Sequence, residues 1–287
     1  MTDVRQKMLE DMRLRSLSDR TVDKYLGCAS VFSRYHGGTS PADLGGKEAR
    51  QFLLHLTQLG RSTSTVSTYH SALTFLFRVT LQRPDVMQHV PRPRVRTQRP
   101  GRALTFAEAR GLLDLLVRWP FDHAFFALML ATGLRISEAT RLQVHDIDRR
   151  AGLLHVRRGK GDKPRSVMLS ARTVQMLERY WRDVRPRAPW LFPARVSGRG
   201  GPLGAWTDRP ISAPWMAKRL KLRQGDVPRP IRSHDLRRTF ATWLIEDGYD
   251  LRLVQVLLGH ASPETTARYT RVHSDVIART RSPFDRL

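Results

Sequence analysis

A chain of 287 residues with 40% hydrophobic content can fill the cores of about two domains. Its 50 lysines and arginines against 26 aspartates and glutamates give a formal charge of +24, which calls for a polyanionic partner such as DNA or RNA. A single cysteine, Cys28, excludes an internal disulfide framework and a multi-cysteine zinc site. The charged start, Met1 to Glu10, lacks the apolar region of a signal peptide, and the most apolar stretch, Phe125 to Ala131, is far shorter than the roughly 20 residues of a membrane span. A cytoplasmic protein with no membrane partner is expected.

From Leu9 to about Arg83, apolar residues recur at helical spacing in several short helices. One carries Val22, Tyr25, Leu26, Ala29 and Phe32, with Ser18 as its N-cap and Gly37-Gly38 as its end. Cys28 lies in this pattern, where burial is its role. A second helix, after Leu44-Gly45-Gly46, carries Ala49, Phe52, Leu53 and Leu56. A third, from about Ser62, carries Val66, Tyr69, Leu73, Leu76 and Phe77. Val90 to Arg102 then holds three prolines, five arginines and no acid, which rules out a regular helix or a central strand. It reads as a basic extended linker, either a solvated spacer or a strap in which Arg92, Arg94, Arg96 and Arg99 follow a phosphate backbone.

Beyond the linker, Thr105 and Glu108 have capping-box spacing for a helix through Val117. Phe121 to Ala131 is apolar nearly all round, as a central core helix requires, and Gly133 breaks or caps it. Leu153 to Val156 and Ser166 to Leu169 are short strand-like runs joined by the basic turn Gly159 to Pro164, which places Lys160 on a hairpin. Lys163 and Arg165 on the same hairpin are expected phosphate contacts. Ser170 caps a helix to about Val184, another helix covers roughly Ile211 to Leu222, and Ser233 to Asp247 and Asp250 to Leu258 follow, each ended by glycine. Trp243 and Leu244 belong to the core.

Ser233 is expected to cap the helix that carries His234 and Arg237, three apart and so on one face near an anion-attracting N-terminus. His260 stands just past a helix end, and Ser262-Pro263-Glu264 opens a short helix that carries Tyr269 near its last turn. Clustered carboxylates for metal-assisted strand transfer are lacking, since Asp146 and Asp148 read as a polar connection before the first strand. Neither HExxH nor a Walker lysine loop is present.

Thr132-Gly133-Leu134-Arg135-Ile136-Ser137-Glu138, His234-Asp235-Leu236-Arg237, Leu257-Leu258-Gly259-His260 and Arg268-Tyr269-Thr270, in this order and with Lys160 on its hairpin, resemble the tyrosine recombinase (phage integrase) family. The helical first half looks like the core-binding domain of Xer-type and transposon-associated members. The resemblance implies a mainly α fold with a small antiparallel sheet, built as a two-domain DNA clamp. Residues 1–88 would form the helical core-binding domain, 89–102 the linker and 103–287 the catalytic domain. It implies site-specific recombination, in which Tyr269 forms a 3′-phosphotyrosyl link and strands exchange between two duplexes through a Holliday junction. The mechanism so implied requires no metal and no cofactor.

A phosphodiester gains charge in its transition state, so fixed cations there stabilise it. Arg135 and Arg237 can offer forked donors and His260 another. In the roles implied, His234 is the base for a tyrosine whose hydroxyl has a pKa near 10, and Lys160 the acid for the leaving 5′-oxygen. Glu138, one turn after Arg135, has two readings: it orients that arginine or is an exposed helix acid. Arg238 stands where many members have histidine. Ser274 to Thr280 reads as a helix that packs on its own domain or, as the resemblance implies, docks on a neighbour in a homotetramer. The expected partners are double-stranded recombination sites, with possible accessory DNA-bending proteins and a nucleoid location. A type IB topoisomerase, or a DNA-binding protein that kept the fold and lost catalysis, are the alternatives.

Overall fold

The computed structural model describes residues 2–94, 102–157, 164–196, 204–225, 229–259, 277 and 279–287. Two compact units divide at Pro100 and Gly101.

The first unit contains helices α1 (Thr2–Leu14), α2 (Asp19–Tyr35), α3 (Gly46–Gln58) and α4 (Thr63–Phe75), the last running into a π-helical turn at Leu76–Thr80. α1 starts seven residues before the expected onset at Leu9, because only Met8 and Met12, four apart, are buried on an otherwise charged helix. Phe32 packs edge to face on Phe52 and Phe77, at centroid distances of 5.4 and 6.1 Å, and so binds α2, α3 and the end of α4 together. Ser62 caps α4 by accepting from the Thr65 amide at 3.2 Å. Ser18 occupies the N-cap position of α2, but its hydroxyl pairs with that of Thr21 at 2.9 Å instead of a backbone amide.

In the second unit the expected capping box opens α5 (Phe106–Leu116): the Glu108 amide donates to Thr105 Oγ1 at 3.2 Å, and the Thr105 amide to Glu108 Oε2 at 2.8 Å. α6 (Pro120–Thr132) is the central helix, with every side chain from Phe125 to Ala131 fully buried. α7 (Ile136–Ala139) follows, then an antiparallel sheet of β1 (Ile147–Asp148), β2 (Leu153–Val156) and β3 (Arg165–Met168), in which Val156 faces Arg165.

β1 replaces part of the expected polar connection. Asp146 is 3% exposed, accepts the Gln143 amide at 2.8 Å and pairs with Arg157, while Asp148 lies in the strand itself. After α8 (Ala171–Val184), a second antiparallel pair, β4 (Pro193–Arg195) and β5 (Trp206–Pro210), was not expected, because prolines end both strands and mask the alternation.

α9 (Ala213–Arg223), α10 (Ser233–Glu246) and α11 (Leu251–Leu258) complete the helical layer around α6. α9 is fastened to α6 by a forked pair from Arg219 to the fully buried Asp122, at 2.6 and 2.8 Å. Ile277 and Phe284 are buried in the core of this same unit, and the Ser282 hydroxyl donates to the Ala131 carbonyl at 2.8 Å, so the end of the chain packs on its own domain. Of the helix expected over 274–280, only residues 277, 279 and 280 are described. Among the described residues, no helix is long and apolar enough to cross a membrane.

Gly133 ends α6 at φ +65°, and a Cβ there would sit 2.3 Å from Phe240 Cδ1 on α10. Gly133→Ala therefore combines left-handed strain with overpacking and should cost about 2–4 kcal/mol, measured as a lower urea midpoint with an unchanged slope.

Candidate active site

The chain leaves α6 at Gly133, buries Leu134, and places Arg135 at the N-cap of α7 with Glu138 in its first turn. Glu138 is 4% exposed, which overturns its reading as an exposed helix acid. One carboxylate oxygen accepts from the Arg135 amide at 2.8 Å and the other from Arg135 Nη1 at 2.9 Å. From β3, Arg165 closes on the same carboxylate with Nη1 at 3.0 Å and Nη2 at 2.8 Å. From α10, Arg237 Nη1 comes within 3.9 Å of it. Three guanidinium groups thus surround one buried carboxylate, leaving two positive charges uncompensated.

Arg237 is itself 3% exposed and donates to the carbonyls of Gly133, at 2.8 Å, and Leu258. Arg165 Nε donates to the Leu257 carbonyl at 2.8 Å. The carbonyls at the end of α11, which no helical amide can satisfy, are therefore capped by two arginines whose charge suits the negative end of the helix. Arg165, expected as a phosphate contact, has a side chain 8% exposed that is engaged by Glu138 and the Leu257 carbonyl.

The expected cap at Ser233 is also corrected. Arg232 holds the N-cap position of α10, and the Asp235 carboxylate, three residues on, accepts its amide at 2.9 Å. Asp235 also pairs with Arg238 at 3.3 Å.

Burial lowers the pKa of His234, and the cations Arg238, Arg237 and Arg135 lower it further against the opposing charge of Asp235. The shift favours the neutral imidazole, the form that can accept a proton. Burial, then the neighbouring Arg135, pulls Arg237 down to about 10, still protonated at neutral pH. Burial alone would raise the Glu138 carboxyl, but the hydrogen bonds and charge of Arg165, followed by those of Arg135, outweigh it and hold the group below its ordinary range.

Arg135, Glu138 and Arg237 are thus brought together, and His234 begins the helix that carries Arg237. Lys160, Lys163, His260, Tyr269, Arg96 and Arg99 lie outside the described residues. Arg92 and Arg94 are exposed in a segment without regular structure. One polar surface was missed in the sequence. A groove of about 490 Å³ between α2 and α4 is lined by Arg20, Lys24 and the hydroxyls of Ser64, Ser67, Thr68 and Ser71. The signal was the 3-1-3 spacing of those four hydroxyl residues, which marks one face of α4.

The family described as "Phage integrase family" matches residues 103–275, and "Phage integrase, N-terminal SAM-like domain" matches residues 4–85. The chain belongs to the phage integrase family. A Sinorhizobium fredii protein, y4qK, named as an integrase/recombinase, is 37% identical over 100% of this chain and 90% of its own length. Tyrosine recombinase XerD of Oceanobacillus iheyensis is 32% identical over 90% of this chain and 89% of its own. Among solved structures, a lambda integrase dimer bound to a COC′ core site shares the fold, with a TM-score of 0.71 at 16% identity over 95% of this chain and 98% of that one. The chain is accordingly a tyrosine-type site-specific recombinase, with a helical N-terminal domain and a catalytic domain.

Removing the charge of Glu138 leaves the buried arginines unpaired, so Glu138→Gln should lose on the order of 3 kcal/mol at pH 7. Because the folded pKa of Glu138 is depressed, its contribution is present above the unfolded value of about 4.3 and is lost as pH falls through the folded one. Urea unfolding at neutral and at acid pH should therefore show the gap between wild type and variant narrowing in acid.

Proposed function

We propose that this recombinase cleaves and rejoins double-stranded DNA at specific sites through a 3′-phosphotyrosyl intermediate formed by Tyr269. The observation that carries this reading is the cluster of Arg135, Arg165 and Arg237 around Glu138, because its two uncompensated charges are suited to the anionic phosphorane of phosphoryl transfer. Arg135 is the member with an accessible side chain, 25% exposed, and makes the direct contact to a nonbridging oxygen, while the deeply placed Arg237 adds field and donates to the Leu258 carbonyl at the end of α11.

In this scheme neutral His234 takes the tyrosine proton, His260 donates to the other nonbridging oxygen, and Lys160 protonates the departing 5′-oxygen. Attack by O⁻ of Tyr269 on phosphorus breaks the P–O5′ bond and conserves its energy in the phosphotyrosyl ester. The free 5′-hydroxyl of the partner duplex can then attack that ester, release tyrosine and reseal DNA without an external energy source. Two such rounds build and resolve a Holliday junction.

The assembly proposed is a homotetramer on two duplexes, with accessory DNA-bending proteins as further partners and the nucleoid as the place of action. A lambda integrase tetramer bound to a Holliday junction has the same fold, with a TM-score of 0.68. Residues 1–88 are proposed to grip DNA through the hydroxyl and basic groove of α2 and α4, the arginines of 89–102 to follow phosphates, with Lys163 as a further phosphate contact, and 103–287 to carry the chemistry.

The test is to incubate the protein with fragmented host DNA in EDTA, denature, capture the protein and sequence what stays attached. One short sequence should be enriched with the wild type and absent with Tyr269→Phe. Absence of attached DNA from both proteins would contradict the reading.

A further inference from the structure

The Arg165 guanidinium ties the buried carboxylate of Glu138 to the end of α11. Its two terminal nitrogens hold both oxygens of Glu138, at 3.0 and 2.8 Å, and Glu138 in turn holds both the amide and the side chain of Arg135. Its Nε reaches the other way, to the Leu257 carbonyl at the end of α11. Its backbone is fixed in β3 opposite Val156. Along the chain, Arg165 follows Lys160 by five residues, and α11 ends two residues before His260.

The contact with α11 is close enough to dictate a residue. A Cβ at Gly259 would meet Arg165 Cδ at 3.0 Å, Nη1 at 3.1 Å and Cζ at 3.2 Å, and φ there is +62°. Glycine at this position serves the left-handed turn and also leaves room for the guanidinium to lie against the backbone.

We propose that Arg165 is a positioning residue that holds the end of α11 and the Glu138–Arg135 pair in one fixed arrangement. It acts on the reaction through Glu138 and the Leu257 carbonyl and makes no phosphate contact of its own. This rests on the assignment of Arg135 and His260 to the scissile phosphate. A planar fork is needed for the task, because its Nε and its two terminal nitrogens point to opposite partners. A lysine in its place keeps the charge beside Glu138 but cannot span the carboxylate and the carbonyl together.

The effect therefore falls on the chemical step and not on binding. A displacement of about 1 Å at a reacting group costs on the order of 100-fold in rate.

The experiment is single-turnover formation of the covalent adduct on a nicked duplex that carries the captured site. Affinity is measured in parallel by gel shift, and every variant is assayed below its own unfolding midpoint. Arg165→Lys should slow adduct formation on the order of 100-fold and leave the DNA Kd within about twofold of wild type, as expected for a residue that touches no phosphate. Gly259→Ala, which displaces the same guanidinium without altering it, should show the same split, and it carries the test should Arg165→Lys fail to fold. Adduct formation at the wild-type rate in Arg165→Lys, or a loss of rate matched by an equal loss of affinity, overturns the proposal. Arg135→Ala and Tyr269→Phe serve as references: if they too form adduct normally, the underlying assignment of the site has failed, whereas if they are inactive while Arg165→Lys is not, only the role of Arg165 has.

Discussion

A carboxylate buried to 4% exposure is the constraint around which the catalytic unit is arranged. Removing such a charge from water costs several kcal/mol unless hydrogen bonds and opposite charges surround it. Glu138 meets that condition with donors from three chain segments that are far apart in sequence: its own helix turn through Arg135, strand β3 through Arg165, and α10 through Arg237 at longer range. Satisfying one carboxylate thus fixes where α7, β3 and α10 meet. Because Arg165 and Arg237 also cap the carbonyls of Leu257 and Leu258, the end of α11 joins the same network. A positive excess remains on the cluster.

Two scales of electrostatics act in this molecule. The formal charge of +24 is spread over long exposed side chains, is screened by salt, and governs encounter with a polyanion. The buried cluster is shielded from much of that screening. The lowered basicity of His234 belongs to the second scale, since burial first and the neighbouring cations after it disfavour the charged imidazole.

Much of this was legible in the sequence because the signals are local. The capping box at Thr105 and Glu108, the all-apolar run of α6, and the glycines after α6 and α11 specify elements without reference to distant residues. The first-half helices were visible through their apolar stripes, apart from the start of α1, where two buried methionines are the whole signal. Long-range pairings were not visible. Glu138 leaves two readings open because its partners Arg165 and Arg237 come from β3 and α10, and the burial of Arg165 is hidden because a basic hairpin reads the same whether its side chains are solvated or packed. Asp146 and Asp148 read as polar linker for the same reason, since the strand and the Arg157 pair that engage them lie further along the chain. The β4 and β5 pair escaped because proline at both ends conceals strand alternation.

The central claim is that this assembly transfers DNA strands between duplexes, as distinct from opening and resealing one. Two duplexes that carry the target sequence and differ in length and end label, incubated with the protein in EDTA and resolved after deproteinisation, measure that most directly. The account predicts hybrid duplexes in which each label has moved to a new length, with Holliday junctions accumulating at early times. Duplexes that return only to their original lengths, while a supercoiled plasmid bearing the same site is relaxed, would contradict it.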